Sequence, residues 1–584
     1  MNILGITCTH DAAACLMVDG VIVADAAEER FSRVKHDFGY PGAAIDYCLS
    51  AGSITAQEID VVAIAGHFVR EVLRRFVLSP KQLAELAEFW HVESTMRQLI
   101  VNSGRRDFPH YIKRIELSPR CRLICVGHHL AHAAAAHFTR ETTDRCVIAT
   151  LDGIGDNVST AIWIGEGNKI SPVRSWGREA SLGWFYGNVT EALGWQHGDG
   201  EGTTMGLAPY GDPKKVGDRL DSFHPVFANG ELAAPHEFGP LTSISDHGNQ
   251  HWHFQDAEEI RKIVDACGRE NVAARAQEIL EHQVLGLIRH WTTEIGVPRL
   301  ACGGGVFLNV KLNQRVWYEG DLEEQWTYPN PGDAGLAVGA SLYVWYDVAL
   351  SKGPWWKGWR KSSPTSTRSN LETLYHGPSF SNEEIRAILD ARRLDYHEIE
   401  DPSMTAARIL AQGKVVAWFQ GRMESGPRAL GGRSILMAAD KPENKDTLNS
   451  KVKFRERFRP FCPAILAEKR EDYLRDSREE PFMITSFDIK PEKRNKVPAI
   501  VHVDGTVRPQ TVRREVHARF YDLIKHFGDL TGEYVVINTS FNIKGEPIVC
   551  NPREALRCFF DTGIDALVIG NFLLTKRDPE TMSI

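Results

Sequence analysis

The sequence predicts an α/β protein with at least two domains, the first of which contains an internal duplication. A strand over Ile3–His10 is followed by a hairpin whose strands, Ala12–Asp19 and Val21–Ala27, meet at an acidic turn. The same pattern returns in residues 146–152, an apolar strand that runs into a glycine-rich acidic turn and a second strand over Thr160–Ile164. This repetition predicts two related lobes.

Two such lobes are typical of an actin-like, ATPase-type fold, in which they bracket a nucleotide or phosphate cleft. Helical patterns such as Ala273–Thr293 separate the strands, and a strand over Arg299–Cys302 leads into a triglycine. The sequence therefore predicts an α/β first domain over residues 1–352.

The chain is long enough for a second domain. Its 584 residues are several times the usual domain length of about 100 to 150 residues. A segment rich in Pro, Gly, Ser, Thr and Trp interrupts the periodic pattern, which predicts a linker over residues 353–372. After it, a helix over Asn382–Ala391 and a buried strand over Val415–Phe419 predict a second α/β domain over residues 373–584.

Composition excludes several classes of protein. With 76 acidic and 68 basic residues the net charge is -8, which argues against wholesale binding to a nucleic-acid backbone. Unlike a secretory signal, the N-terminus has no basic region before its apolar run and soon reaches Asp11. No apolar stretch approaches the roughly 18 residues of a membrane span. The 11 cysteines are scattered without CxxC spacing, as expected for reduced thiols. We expect a cytoplasmic protein without a membrane or nucleic-acid partner.

A candidate metal site begins with His128 and His132, four residues apart and so on one face of a helix that the alanines of 133–136 favour. The alternative is a chance pair of surface histidines. Two further oxygen donors, Asp152 at the end of the second lobe's strand and Asp333 on a turn before a helix, favour the metal. A His/His/Asp/Asp set suits iron, zinc or manganese.

Three other features of the first domain have two interpretations each. His10 beside Asp11 is either a general base oriented by a carboxylate or a turn histidine. The glycines Gly303 and Gly304, with Asn309 downstream, either let a ligand approach the backbone or allow a helix to pack closely on a sheet. Lys35 either reaches the second domain or is a solvated loop residue.

The second domain concentrates positive charge. Every odd position from Lys451 to Arg459 is cationic, so an extended chain would direct five cations to one side. Arg428, Arg433 and Arg508 add guanidinium groups that can hold phosphate, although each alone is as well explained by a surface salt bridge. The hydroxyl and amide groups of a further segment would orient the phosphate: Asn538, Ser540 and Asn542.

These motifs together resemble the O-carbamoyltransferases of the NodU/CmcH type, which carbamoylate hydroxyls of antibiotics and nodulation factors. The resemblance implies a first domain of the ASKHA class, similar to TsaD, and a second domain similar to YrdC, with the YrdC pattern on Lys453, Arg455, Ser540 and Asn542. It extends over the whole chain in the family's order: Thr9–Ala13, Glu28–Ser32, His128–His132, Leu151–Gly153, Met205–Gly211, Gly426–Ser434, Phe458–Phe461 and Asn538–Asn542.

The resemblance also implies a relay in two steps. In the second domain ATP, with Mg, and carbamoyl phosphate give carbamoyl-adenylate and pyrophosphate. The adenylate moves to the first domain, where Gly303, Gly304 and Asn309 contact it and a metal, iron in the family, polarises the carbamoyl group. The catalytic residues there are His10, Asp11 and Lys35, with His10 taking the proton of a small-molecule hydroxyl. The anions are held by Arg428, Lys453, Arg455, Arg459, Arg508, Asn538, Ser540 and Asn542.

One position departs from the family pattern, and other functions remain open. Thr203 stands where we expect the family's lysine. A sugar kinase would use the same two-lobed cleft without the metal set. A tRNA-modifying factor that delivers a threonylcarbamoyl group would need tRNA binding, which the net charge of -8 disfavours. A noncatalytic scaffold would leave the clustered arginines unexplained. The acceptor, the metal loaded and any homo-oligomer are not determined by the sequence.

Overall fold

The computed structural model describes residues 1–66, 76–84, 115–233, 241–246, 249–348 and 371–576, of which 241–246, 249–255 and 347–348 are described by their backbone alone. Three main sheets contain most of the strand residues in this part of the chain. The predicted linker lies outside the described residues except for its last two positions. The strands of the first domain are β1 (Asn2–Thr7), β2 (Ala13–Val18), β3 (Val21–Ala27), β4 (Val61–Ala65), β5 (Phe76–Val77), β6 (Ile115–Glu116), β7 (Arg122–Val126), β8 (Cys146–Gly155), β9 (Val158–Glu166), β10 (Lys169–Gly177), β11 (Val226–Ala228), β12 (Glu231–Ala233), β13 (Leu241–Asp246), β14 (Asn249–Phe254), β15 (Arg299–Gly303) and β16 (Glu324–Thr327).

The two larger sheets of the first domain have the same topology. One has the order β3-β2-β1-β4-β7 and the other β10-β9-β8-β15-β16. In each, three antiparallel strands form a meander, the first of them pairs in parallel with a fourth strand, and that strand pairs in parallel with a fifth. This repeated arrangement confirms the predicted duplication, and it places both hairpins where the sequence predicts them.

Helices cover the two sheets and fill the space between them. The long helix predicted over Ala273–Thr293 extends a few residues further at each end. Two helices cross closely between the sheets, where a Cβ on Gly339 would lie 2.0 Å from the carbonyl oxygen of Ala131, so glycine is needed. The helices of the first domain are α1 (Glu29–Ser32), α2 (Gly42–Ala51), α3 (His128–Phe138), α4 (Leu182–Ala192), α5 (Glu201–Leu207), α6 (Gln255–Cys267), α7 (Arg269–Ile295), α8 (Val310–Glu319) and α9 (Leu336–Tyr343).

The second domain is built on one mixed sheet of eight strands, in the order β17-β26-β25-β18-β19-β24-β20-β23. Its central strands are buried on both faces, which explains their continuous apolar sequence. The strands are β17 (His397–Glu398), β18 (Val416–Phe419), β19 (Arg433–Ala438), β20 (Cys462–Leu466), β21 (Phe487–Asp488), β22 (Thr506–Val507), β23 (Gln510–Val512), β24 (Val535–Ser540), β25 (Ala566–Ile569) and β26 (Phe572–Thr575). The helices are α10 (Asn382–Ala391), α11 (Pro402–Ala411), α12 (Glu443–Leu448), α13 (Arg470–Tyr473), α14 (Pro491–Arg494), α15 (Ala518–Thr531) and α16 (Pro552–Phe560).

The two domains pack against each other through polar contacts. The guanidinium of Arg422 donates to the carbonyl oxygen of Val23 at 2.8 Å, and that of Arg33 donates to the carbonyl oxygen of Ile548 at 2.8 Å. On the other side, the ammonium of Lys311 lies 3.0 Å from a carboxylate oxygen of Asp504. These contacts surround a cleft, and they fix how the two domains face each other.

Two expectations from composition concern the cysteines and membrane-spanning helices. All 11 cysteines are free thiols, and every one except Cys267 is buried. Within the described residues, no helix combines the length and the apolar character that crossing a lipid bilayer would require.

Candidate active site

One continuous cavity of about 1330 Å³ lies between the two domains. Its first-domain wall includes His128, Asp152 and Asp333. Its second-domain wall includes Lys453 and Arg508. The predicted metal ligands and the predicted anion ligands therefore share a single enclosed space, which is larger than the roughly 300 to 1,000 Å³ of most ligand pockets.

Three elements position the side chains of the first-domain wall: helix α3, strand β8 and the short turn before α9. Helix α3 begins directly after β7, and the carboxylate of Asp156 accepts the backbone N–H of His128 at 2.7 Å, which satisfies one free donor of the first helical turn. Asp152 lies within β8, and Asp333 opens a short turn that leads into α9. The i,i+4 spacing in α3 directs His128 and His132 to the same point, as predicted.

The four side chains converge at distances suited to one cation. The Nε2 atoms of His128 and His132 are 3.2 Å apart, and each lies 3.1–3.2 Å from Oδ2 of Asp152. Oδ1 of Asp333 lies 3.4 Å and 3.6 Å from the same two nitrogens. Ligand atoms about 2.1 Å from a tetrahedral ion are separated by roughly 3.4 Å. The donor set therefore fits a transition-metal ion.

Charge within this cluster is balanced internally. Burial would lower the pKa of His128, but the carboxylates of Asp333 and Asp152 raise it well above its ordinary value. Burial, together with the negative charge of Asp333, would raise the pKa of Asp152, but hydrogen bonds from the two imidazoles hold it well below the usual range. Without a metal the cluster holds protons, so metal binding would release them.

His10 lies at the edge of the metal cluster. Its Nδ1 is 3.5 Å from Oδ2 of Asp333, and its Nε2 is 3.3 Å from Oδ2 of Asp11. The other oxygen of Asp11 lies 2.7 Å from Nδ1 of His36. His10 is 46% exposed and lines the cavity, so it can reach a bound molecule. The predicted pairing of His10 with Asp11 is present.

One of our two interpretations required Lys35 to reach across to the second domain, and it does not. Its ammonium pairs with the carboxylate of Asp199, which belongs to the loop before α5 in the same domain. Asp199 also lies 3.5 Å from Nε2 of His36. Lys35 still lines the cavity, and its catalytic role stays a prediction.

The glycines after β15 serve packing. A Cβ on Gly303 would lie 2.8 Å from the carbonyl oxygen of His132, and one on Gly304, whose φ is +97°, would lie 2.1 Å from that of Leu151. Asn309 lines the cavity, but its side chain caps α8 and exchanges hydrogen bonds with Gln277. Close packing therefore accounts for both glycines, and contact with an adenylate stays a prediction.

The second-domain wall corrects the prediction of an extended cationic strand. Residues Asn449–Lys453 form a single π-helical turn, and Phe454 then adopts a left-handed backbone with φ of +48°. As a result Lys451 and Arg457 are exposed on the outside, while Lys453 is buried. The prediction of an extended strand was wrong, because the backbone is coiled here. Three of the five predicted cations line the cavity: Lys453, Arg455 and Arg459.

Lys453 is held among neutral acceptors. Its Nζ lies 2.6 Å from the carbonyl oxygen of Ser540, 3.1 Å from the Ser540 hydroxyl and 2.7 Å from Oδ1 of Asn542. Burial and the charge of Arg455 place the pKa of Lys453 well below its ordinary value. The predicted grouping of lysine, serine and asparagine is therefore confirmed as a structural cluster whose positive charge is not neutralised.

Four guanidinium groups surround that lysine. Among the described residues Arg428 has no hydrogen-bond partner, and burial next to the charge of Arg508 lowers its pKa to about 9. Burial next to Arg459 lowers the pKa of Arg455 to about 9. Arg508 donates twice to the Cys462 sulfur, at 2.8 and 2.9 Å. Within the described residues, the ion pairs of these five cations are limited to Arg459 with Glu456 at 3.8 Å. The cluster can hold a polyanion.

Arg433 is not part of this cluster, contrary to our prediction. It is fully buried and donates to main-chain carbonyl oxygens, including those of Gln420 and Pro378. Nearby, the buried carboxylate of Glu424 accepts the N–H groups of Leu430 and Gly432, which folds the glycine-rich loop. Arg433 therefore shapes the loop that presents Arg428.

Other predicted positions line the cavity as well. Asn538 is buried, and its side-chain amide nitrogen donates to Gln510 at 2.9 Å. Its side-chain oxygen Oδ1 has no partner among the described residues. Thr203, where the resemblance suggested a lysine, is buried on α5 and lines the cavity without a charge. Any contact that a lysine would make at that point is missing from this chain.

The titratable cavity residues that the sequence prediction missed include His36 and Asp199. His36 follows Lys35 in a short loop, and Asp199 lies between glycines, so neither belongs to a periodic pattern. The grouping of Asp11, Glu29 and His36 around one point depends on a tertiary turn. The one available signal was the run Lys35-His36-Asp37 shortly after the motif Glu28–Ser32.

Comparisons with known proteins agree with this geometry. Residues 2–342 match the Carbamoyltransferase N-terminus family model, and residues 407–576 match the Carbamoyltransferase C-terminus model. The chain is 36% identical to an uncharacterized protein of Synechocystis sp., over 98% of this chain and 97% of that protein. It is 33% identical to Nodulation protein NolNO of Sinorhizobium fredii, over 99% and 81% of the two chains. It is 34% identical to Nodulation protein NolO of Bradyrhizobium diazoefficiens, over 77% and 79%. With both family models matched in order around one shared cavity, this chain belongs to the carbamoyltransferase family of enzymes.

Proposed function

We propose that this enzyme is an ATP-dependent O-carbamoyltransferase that works through carbamoyl-adenylate. The observation that carries the proposal is the single cavity that joins a cluster of five cations to a His/His/Asp/Asp set. The cations suit a triphosphate and an acyl phosphate. The first-domain set suits activation of a carbonyl group beside a general base.

The first step takes place among the cations of the second domain. Carbamoyl phosphate is hydrolysed to carbamate and phosphate, and a carbamate oxygen attacks the α-phosphorus of ATP and displaces pyrophosphate. Lys453, Arg428 and Arg508 would hold the phosphoryl oxygens, because their charge lacks a counter-ion among the described residues. The side-chain oxygen Oδ1 of Asn538, which has no partner among the described residues, would accept a hydrogen bond from the carbamoyl NH₂ group.

The second step takes place in the first domain. There a metal ion held by His128, His132, Asp152 and Asp333 would supply polarisation of the carbamoyl carbonyl, and iron is the metal that the family resemblance implies. His10 takes the proton of the acceptor hydroxyl, with its ring held by Asp11. The hydroxyl oxygen bonds to the carbamoyl carbon, and AMP leaves.

Enclosure of both steps has a chemical reason. A carbamoyl-adenylate is a labile mixed anhydride, and passage through a shared cavity limits its exposure to bulk water. The acceptor would be a hydroxyl of a small-molecule natural product, in line with the resemblance. The second domain would be the YrdC-like, adenylate-forming unit, and the first the ASKHA-like, transferring unit.

The test of this proposal is an incubation with ATP, Mg²⁺ and carbamoyl phosphate in the absence of an acceptor, followed by mass spectrometry. We expect pyrophosphate and carbamoyl-adenylate, both dependent on carbamoyl phosphate. ADP in place of pyrophosphate would indicate a phosphotransferase instead. Intact ATP with metal-loaded protein would contradict the adenylation step.

A further inference from the structure

A line of alternating charges runs along the first-domain wall from the edge of the cation cluster to the metal site. It begins at the ion pair of Lys35 with Asp199, continues to His36 and Asp11, and ends at His10. Asp199 acts on both sides, because its charge also raises the pKa of Arg459 against the lowering effect of burial. All of these side chains line the cavity. We call Asp199, His36 and Asp11 the support chain of His10.

His36 is the centre of the support chain. Its Nδ1 lies 2.7 Å from Oδ1 of Asp11, which leaves the second oxygen of Asp11 for Nε2 of His10 at 3.3 Å. Its Nε2 lies 3.5 Å from Asp199. The imidazole therefore hydrogen-bonds to the Asp11 carboxylate and lies within ion-pair distance of Asp199, and it fixes which oxygen of Asp11 faces His10.

The backbone of His36 is held in an uncommon conformation. Its φ is +55°, in the left-handed region that is strained for a residue other than glycine. The carboxylate of Glu29 accepts the backbone N–H of His36 at 3.1 Å and thereby holds this conformation. Such strain persists where surrounding contacts over-determine it, and here the contacts aim the imidazole at Asp11.

We propose that His36 is a positioning residue for carbamoyl transfer, which holds the Asp11 carboxylate so that Asp11 orients the ring of His10. This inference rests on the proposed function, in which His10 takes the proton of the acceptor. His10 is 46% exposed and has no other anchor than Asp11 and Asp333 among the described residues. Without His36, Asp11 can rotate and His10 loses its fixed direction.

The variants His36→Asn and His36→Gly form a matched pair. Asparagine and glycine both tolerate a left-handed backbone, so neither adds strain. The amide nitrogen of asparagine takes the place of Nδ1 and can still donate to Asp11, whereas glycine removes the contact. A difference between the two variants therefore reports the contact itself.

The first readout uses water as the hydroxyl donor, with ATP and carbamoyl phosphate supplied. Water attacks the carbamoyl carbon, the bond to the adenylate phosphate oxygen breaks, AMP and carbamate leave, and the proton passes to His10. We expect pyrophosphate release to be unchanged in both variants. AMP release should fall at least about tenfold in His36→Gly and stay within about threefold of wild type in His36→Asn. Added imidazole should restore part of the lost rate in His36→Gly.

The second readout needs no turnover. Diethyl pyrocarbonate carbethoxylates imidazole nitrogens, and peptide mass spectrometry gives the rate at His10 alone. Because both nitrogens of His10 face carboxylates, we expect slow labelling in wild type and His36→Asn, and labelling at least about threefold faster in His36→Gly.

The outcomes separate this inference from the proposed function. If wild-type protein releases no pyrophosphate, the proposed function fails at the adenylation step. If carbamoyl-adenylate accumulates without AMP, water does not replace the acceptor. In both cases the labelling rates still decide the role of His36. Equal rates of His10 labelling in wild type and both variants would overturn the inference. So would AMP release that is equal in both variants, whether high or low.

Discussion

The two ends of the cavity hold their charges in opposite ways. At the metal end, two imidazoles and two carboxylates lie within 4.8 Å of one another, and each partner offsets the charge of the next. At the anion end, five cations stand against one ion-paired carboxylate among the described residues, Glu456. Repulsion and burial lower the pKa of Arg428 and Arg455 to about 9.

This difference indicates which kind of ligand each end of the cavity must bind from solution. The metal end is already organised by helix α3 and strand β8, and a cation there would exchange with protons. The anion end is electrostatically incomplete, because desolvated cations without partners destabilise the folded chain. A bound polyanion would relieve that repulsion. The predictions below test this contrast, from the largest expected effect to the smallest.

The largest effect should follow removal of the central cation of the anion end. Lys453→Ala should reduce carbamoyl phosphate-dependent pyrophosphate release by about a thousandfold or more, because a buried charge at the reacting phosphates is lost. The matched control is Lys451→Ala, two residues earlier on the exposed side of the same turn. It should keep wild-type release. Similar losses in both variants would show that general charge, rather than the buried site, attracts the substrates.

The metal end should respond in a different assay. His132→Ala should lower the affinity for Zn²⁺ or Co²⁺ by at least about a hundredfold, since one of four ligands is gone, while pyrophosphate release stays intact. His129→Asn is the control on the same helix, because His129 turns away toward Thr150, at 2.9 Å. Competition titration against a chelator measures both affinities. Unchanged metal affinity in His132→Ala would contradict the assignment of the site.

Arg428 offers a test of the electrostatic incompleteness itself. Arg428→Gln should raise the unfolding temperature of the ligand-free protein, because it removes a half-buried cation that has no partner among the described residues. Pyrophosphate should stabilise wild type by about 2.7 kcal/mol at 100 times its Kd, and Arg428→Gln less at the same concentration. Thermal unfolding with and without pyrophosphate gives both values. A variant that is less stable without ligand and equally stabilised by it would break the contrast.

The smallest effect concerns the contact between the two domains. Asp25 is 2% exposed next to Ser425, and burial raises its pKa to about 7. Since the folded form binds the proton more tightly, wild-type stability is full below pH of about 4 and falls as the pH rises toward 7. Asp25→Asn removes this loss. The stability difference between variant and wild type should grow by about 2 kcal/mol from pH 5 to pH 8 in urea unfolding, and a constant difference would refute the shift.

Much of the first domain could be predicted from its sequence. The duplication was visible because each lobe starts with a strand and a hairpin whose polar turn is local. The convergence of His128 and His132 follows from helix geometry alone. In the second domain the pattern over residues 451–459 was misleading, because alternation by two predicts a strand only if the backbone is extended.

What the sequence could not reveal depends on contacts between distant segments. Arg433 and Arg428 lie in the same glycine-rich loop, and the buried Glu424 folds that loop. As a result the guanidinium of Arg433 donates to carbonyl oxygens, while that of Arg428 has no hydrogen-bond partner among the described residues. His36 and Asp199 meet only through the tertiary fold. In each case the residue type indicated a possible role, but the sequence did not show where the side chain points.

The central claim is that carbamoyl-adenylate forms at the anion end and is consumed at the metal end of one cavity. The most direct test is the His132→Ala variant incubated with ATP, Mg²⁺ and carbamoyl phosphate, then quenched and analysed by mass spectrometry. We predict that pyrophosphate and carbamoyl-adenylate accumulate in equal amounts while AMP release stops. Loss of pyrophosphate together with AMP, or the appearance of ADP, would contradict the two-site account.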